Sequence, residues 1–262
     1  MYSHELFGVR IDDPSLLELT NILRKWLLED APLRMISTPN PEFILLARED
    51  SEFKEILNKS DLSLADGIGL QFAIAALTEN FLLHRHTGVD TLELLAQLCH
   101  EEKKSLLLFG GREGVAVETA KRLSRKFFQA TIIACEPTES PTVTSYTEKI
   151  ARLQPDVIAV ALGQGKQERF MYELFSSHSS IKIAIGVGGS FDTISGLKSR
   201  APLWMRHKGF EWIWRLLLEP SRWRRIMQAT IVFPTIVIYA TLKQRRFFRA
   251  LFRVSQVLGR DL

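Results

Sequence analysis

Cysteine is nearly missing from these 262 residues: the chain holds two, Cys99 and Cys135. They form no C-x-x-C pair and no metal-ligand spacing, which excludes a disulfide scaffold and a zinc module. Both lie in apolar stretches and read as buried free thiols of a reducing compartment. No Gly-Lys-Ser/Thr follows a glycine turn, and the first strand carries no G-x-G-x-x-G. A P-loop ATPase and a dinucleotide-binding dehydrogenase are therefore not expected. Asp-x-Asp, the usual metal clamp for nucleotide-sugar diphosphates, is also lacking, so neither a metal nor a cofactor is expected. The opening MYSHELFGVRIDD has no apolar signal core, which predicts a cytoplasmic residence. Repeats and low-complexity stretches are absent too.

Acidic residues run short in one region. Residues 196–262 hold 14 Lys and Arg against 3 Asp and Glu, a balance of +11, while residues 1–195 carry −7. An acidic body with a basic tail implies that the tail meets an anion: phospholipid, diphosphate or nucleic acid. The tail also holds four of the five tryptophans, Trp204, Trp212, Trp214 and Trp223, and an uncharged run at 226–242. That run is shorter than the ~20 residues of a spanning helix, and Pro234 interrupts it. A buried or interfacial segment is expected rather than a span.

The body reads as α/β. MIST (35–38), SLLLF (105–109), TIIAC (131–135), VIAVAL (157–162) and KIAIGV (182–187) are continuously apolar, as strands covered on both faces must be. Helical spacing fills 114–128, 144–154 and 166–178, and 41–61 reads as one further helix. Such alternation predicts a doubly wound, mostly parallel, Rossmann-like sheet over 1–195, with a helical appendage over 196–262. Ligands of such sheets bind beyond the carboxyl ends of the strands.

The loops at those ends carry the candidate chemistry. FGGREG offers Gly110, Gly111 and Gly114 either as an anion cradle at a helix start or as a tight turn. LADGIGL sets Asp66 among apolar neighbours, as a turn residue or as a base of raised pKa. LHRHTGVD offers His84 and His86 without a third metal ligand, and Arg85 as a cation in an apolar stretch. LGQGKQER projects Gln164, Lys166, Gln167 and Glu168 into the crevice, to read hydroxyls or merely to open a helix. GVGGSFD and SGLKSRAP add Asp192 and Arg200. If a sugar diphosphate binds here, arginines and backbone amides must do the work of a metal.

TPN (38–40), ADG (65–67), RHTGVD (85–90), LFGG (108–111), LGQGKQE (162–168), GVGGSFD (186–192), SRAP (199–202) and GFEWIWRLLLEPSRWRR (209–225) resemble, in order and spacing, the WecG/TagA/CpsF family of bacterial glycosyltransferases. The resemblance spans roughly residues 5–245, and the EW-x-x-R-x-x-x-EP-x-R-x-x-R segment is its most specific part. It implies inverting, metal-independent transfer of an N-acetylmannosamine-type sugar from a UDP-sugar to the 4-hydroxyl of N-acetylglucosamine on undecaprenyl diphosphate. Such products feed teichoic acid or other cell-surface polysaccharides. By motif, Asp66 resembles the catalytic base, and Thr38, Asn40, Arg85 and Gln167 the pocket around it. Arg215, Arg222 and Arg225 resemble appendage arginines that close over the diphosphate, and their spacing sets them on one helical face. The chain departs from the family pattern at Gly165, where proline is usual, and at ACEPTES after the 131–135 strand, which leaves the donor sugar unfixed.

The partners implied are a UDP-sugar, a lipid-linked diphosphate and the cytoplasmic face of the membrane, with a homo-oligomer possible. Tryptophans, arginines and an apolar run suit that depth. A nucleic-acid-binding module using the basic tail is the rival, but its apolar run would be idle in a groove, so nucleic acid is not an expected partner.

Overall fold

The chain opens with a hairpin that the sequence does not announce. Strands β1 (Tyr2–Leu6) and β2 (Val9–Asp13) pair antiparallel around Phe7 and Gly8, both at positive φ. Helix α1 (Leu16–Leu28) starts from a capping box in which Ser15 and Glu18 satisfy each other's backbone N–H. The computed structural model describes residues 1–137, 142–176, 181–207 and 210–260. The final residues of the helix expected to 178, Thr138–Ser140 of ACEPTES and Gly209 lie outside the described residues.

The five apolar runs form the strands of one parallel sheet. It comprises β3 (Arg34–Ser37), β4 (Leu62–Ser63), β5 (Ser105–Gly110), β6 (Thr131–Cys135), β7 (Val157–Ala161) and β8 (Ile183–Gly186). Its order is β4-β3-β8-β7-β5-β6. Only the two-residue β4 had no counterpart in the sequence reading. The connecting helices are α2 (Pro41–Glu49), α3 (Ser51–Lys59), α4 (Ile68–Leu77), α5 (Gly88–Glu101), α6 (Val115–Lys126), α7 (Val143–Leu153), α8 (Lys166–Ser176) and the short α9 (Ser190–Ile194). The single helix expected over 41–61 is two. Asp50 is extended, and its carboxylate accepts the Phe53 N–H at 2.9 Å, ending α2 and capping α3 together.

Apolar cores lie on both faces of the sheet. Leu92, Leu106, Ala116 and Phe191 mark one, and Phe109, Ile158, Phe170 and Met171 the other. A third joins the hairpin, α2, α3 and α4 to the tail, since Phe233, Val237 and Ala250 pack with Phe43 and Ala73.

The tail is mostly helical from Leu203, with breaks at Glu219 and at Gln244–Arg246. It runs through α10 (Leu203–His207), α11 (Glu211–Leu218), a 3-10 turn at Pro220–Arg222, α12 (Trp223–Met227), a π turn at Gln228–Val232, α13 (Phe233–Lys243) and α14 (Phe247–Arg260). Two expectations fail here. Pro234 does not interrupt the apolar run, because the wider π turn makes room for its ring and supplies the Phe233 N–H to Gln228 O bond. Pro220–Lys243 is thus one helical stretch of 24 residues, long and apolar enough to cross a membrane by length and composition. Nor do the three arginines share one helical face: Glu219 leaves helical geometry before Pro220, so Arg215, Arg222 and Arg225 fall in three successive elements.

Candidate active site at the carboxyl edge of the sheet

The loops after β3, β4, β5, β7 and β8 converge on one cavity of about 550 Å³, which the tail closes from the other side. Thr38, Asn40, Asp66, Gly111, Gln164, Gln167 and Asp192 line it from the body, and Arg215, Arg222 and Arg225 from the tail. The break at Pro220, not helical periodicity, lets the three arginines face one space.

Asp66 follows β4, its backbone N–H bonded to Pro39 O at 2.8 Å. The turn reading is not what its side chain does, since Gly67 is the N-cap of α4 and no side chain caps that helix. Burial pushes the Asp66 carboxyl up to about 6; Arg215 and Arg85 oppose the rise, while Glu211 and Asp90 add to it. A carboxyl with that pKa is ionised at neutral pH yet still basic enough to take a proton.

Arg85 does not line the cavity but acts on Asp66 through its charge. Its segment is tied down by Asp13, whose carboxylate accepts the Leu83 and His84 N–H groups at 2.8 Å each and contacts His84 Nδ1 at 2.9 Å. Burial would raise Asp13, but the His4 ring, 3.6 Å away, and these bonds hold it down at about 2. His86 Nε2 meets Pro14 O at 2.7 Å, and the His86 N–H reaches Ala65 O at 3.1 Å. The two histidines therefore brace the Arg85 loop against the hairpin. Among the described residues, no group of three His, Cys, Asp or Glu is placed to hold a metal ion.

Two other candidates sit behind the cavity wall. Glu168 is fully buried and does not line the space. Its carboxylate accepts from Gln167 Nε2 and from the Gly165 N–H, each at 2.7 Å, while Gln167 Oε1 accepts the Gly188 N–H at 3.0 Å. Both ends of the Gln167 amide are thereby assigned, and Glu168 orients it instead of touching a ligand. Burial raises the Glu168 carboxyl to about 7, against these same bonds. Gly110 serves packing: at φ +98, a Cβ there would stand 2.7 Å from Ala161 O. The α6 N-terminus is no open anion cradle either. Glu136 accepts from the Gly114, Ala116 and Val117 N–H groups at 2.9, 2.8 and 3.2 Å, so the protein's own carboxylate fills it.

The tail arginines each face a carboxylate: Arg215 with Glu211 at 2.9 Å, Arg222 with Glu219 at 2.9 Å, and Arg225 with Glu42 at 2.6 Å. Lys198 bridges Asp192 and Glu219, at 2.7 Å from the latter, and Arg112 holds Asp192 at 3.0 Å. Burial would lift the Asp192 carboxyl, but Lys198 and Arg112 keep it below the ordinary range. An ion chain thus links the sheet edge to the tail. Asp13, Glu42 and Glu136 were not singled out in the sequence, because a lone acid carries no spacing signal; Lys198 and Glu219 stood inside quoted motifs without a role.

The arrangement combines one proton acceptor, fixed amides and a ring of cations, which suits displacement of an anionic leaving group. Over residues 4–247 the chain matches the family described as Glycosyl transferase WecG/TagA/CpsF. It is 32% identical over 228 residues to the N-acetylglucosaminyldiphosphoundecaprenol N-acetyl-beta-D-mannosaminyltransferase of Bacillus subtilis, covering 87% of this chain and 88% of that protein. A protein of the same name from Bacillus spizizenii is 32% identical over 82% of this chain and 83% of its own. Another from Staphylococcus aureus is 25% identical over 92% and 93%.

Proposed function

Because the chain belongs to the WecG/TagA/CpsF family of glycosyl transferases, we propose that it moves an N-acetylmannosamine-type sugar from a UDP-sugar to N-acetylglucosamine on undecaprenyl diphosphate. The observation that carries this reading is Asp66, a carboxyl with a pKa of about 6 on the wall of the cavity that three tail arginines close. Asp66 takes the proton of the acceptor 4-hydroxyl as that oxygen attacks the anomeric carbon. The bond from that carbon to the diphosphate oxygen breaks on the opposite face, inverting the centre, and its electron pair leaves with UDP. Arg215, Arg222 and Arg225 then exchange their carboxylate partners for phosphate oxygens and stabilise the growing charge. Gln167, and Thr38 with its hydroxyl on Gly186 O at 2.9 Å, set one wall of the sugar pocket.

The lipid-linked acceptor places this chemistry at the cytoplasmic face of the membrane, within assembly of a surface polymer such as teichoic acid. Residues 196–262 act there as both anchor and lid. Exposed Trp204, Trp212 and Trp223 suit the headgroup layer, and one face of α13 is held on α4 by Phe233 and Val237 while Tyr239 and Leu242 of α13 and Ile231 of the preceding π turn are exposed. A helix so divided lies along the interface rather than across it. The deciding experiment incubates a panel of UDP-sugars with a short-chain lipid-diphosphate-N-acetylglucosamine acceptor and weighs the product. A disaccharide from UDP-N-acetylmannosamine supports the reading; no product with any donor overturns it.

A further inference from the structure

Beside the polar cavity runs a second groove, of about 240 Å³ and opposite chemistry. Its floor is Ala73 and Ala76 of α4, and its walls are Phe233 and Val237 of α13 and Val254 of α14. Among its lining residues only Thr241 has a polar side chain, and that hydroxyl is spent on Ile238 O at 2.7 Å. Nothing on these walls holds water, so the groove favours hydrocarbon. Its width is fixed from the far side, where the Arg253 guanidinium donates to Thr78 O at the end of α4.

Resting on the function proposed above, we infer that this groove binds the first isoprene units of the acceptor's polyprenyl chain. The two cavities are separated by one residue. Asn40, Glu42 and Phe43 line the polar one, while Pro41 between them lies against Gly69 in the groove floor, where a Cβ would stand 2.8 Å from its ring. The same helical stretch joins them: Arg225 and Ile226 border the polar space, and Phe233 begins the groove wall, some 10 Å further on at the helical rise. A molecule with a sugar diphosphate head and a hydrocarbon tail matches this polar-to-apolar sequence, its diphosphate at the arginines and its tail along α13. The groove mouth, flanked by exposed Ile238 and Leu251, lets the remaining chain continue into the bilayer.

The test is binding in solution, without vesicles, by calorimetry with geranyl, farnesyl and geranylgeranyl diphosphate. The full-length protein should bind more tightly as the chain lengthens, by about tenfold or more from the shortest to the longest. Ala76→Phe fills the floor, and Leu251→Asp makes the exposed rim polar without touching the core. Each should flatten the length dependence and leave the weak affinity for inorganic diphosphate, which reaches only the arginines, as it was. Equal affinity for all three probes in the parent protein overturns the assignment. So does retained length dependence in a folded Leu251→Asp protein; if a parallel co-sedimentation shows that this protein has lost only binding to vesicles, the groove is a site for membrane acyl chains and the assignment is likewise overturned. The readout is independent of turnover, so failure of sugar transfer and failure of the groove are told apart.

Discussion

Asp66, the base of the proposed transfer, carries a cost in the same carboxylate. Its folded pKa of about 6 lies above the ordinary value of 3.8, so the folded chain holds the proton more tightly than the unfolded one. Stability therefore falls as pH rises from about 4 through 6, and the penalty is complete above that window, on the order of 3 kcal/mol. Asp66→Asn removes it. The variant should melt several degrees higher at pH 7.5, match the parent near pH 4, and lose about 10²–10⁴-fold in transfer rate. In the parent, kcat/KM should fall tenfold per unit below pH about 6. Unchanged melting at pH 7.5 together with near-parental turnover would remove Asp66 from the base role. Gly186→Ala probes the neighbouring network: a Cβ there stands 2.7 Å from Gln167 Nε2 and 2.9 Å from Glu168 Oε1. Displacing that amide should cost about 1–3 kcal/mol in a denaturant melt and cut turnover at least tenfold, because a fixed amide becomes a misplaced one. The residues around Asp66 left it open as a turn residue or a base of raised pKa, and only the family resemblance favoured the base; the carboxyl stands on the cavity wall. Glu168 was expected to project into the crevice with Gln164 and Gln167 and stands behind the wall instead, because a helix start does not say which of two adjacent side chains turns inward.

At the scale of elements, the tail shows where periodicity misleads. The spacing of Arg215, Arg222 and Arg225 suggested one helical face, yet they meet through the bend at Glu219–Pro220. Proline was read as a stop at 234, where a π turn absorbs it, and its effect was overlooked at 220, where it shapes the site. The buried strands were legible to within about two residues, because uninterrupted apolar runs admit few alternatives. The hairpin was not, because His4 and Asp13 stand at inward positions where apolar residues would signal a strand. Single alanine replacements of the three arginines should each lower transfer to a water-soluble acceptor diphosphate by at least tenfold. Vesicle binding should barely change, since thirteen of the fourteen basic residues of 196–262 remain in each variant. Arg225→Ala should also loosen the lid, as Glu42 loses its partner at 2.6 Å. If all three variants keep parental rates on the soluble acceptor, the arginines are surface anchors and the lid must be abandoned.

The whole molecule is polarised in charge, and the polarity follows the tail. A balance of +11 over residues 196–262 against −7 in the body orients the protein toward an anionic surface. Attraction of that kind is worth ~1 kcal/mol per basic residue near the surface and is screened within about a Debye length, so it fades with salt. Exposed apolar residues add a part that salt does not weaken, and the two can be separated. Co-sedimentation with phosphatidylglycerol-containing vesicles should fall as salt rises and level off above zero. Ile231→Ser with Leu242→Ser, at positions 51% and 54% exposed and outside both cavities, should abolish that plateau while leaving low-salt binding and soluble-acceptor turnover near parental. Deleting the tail would be a poorer test, because Phe233, Val237 and Ala250 belong to the core of α4 and their loss would uncover it. The same substitutions decide between lying along the membrane and crossing it. A helix held on α4 by one face should be released by high salt combined with the double substitution. Retention in the vesicle fraction under both conditions would mean that Pro220–Lys243 leaves the body and spans.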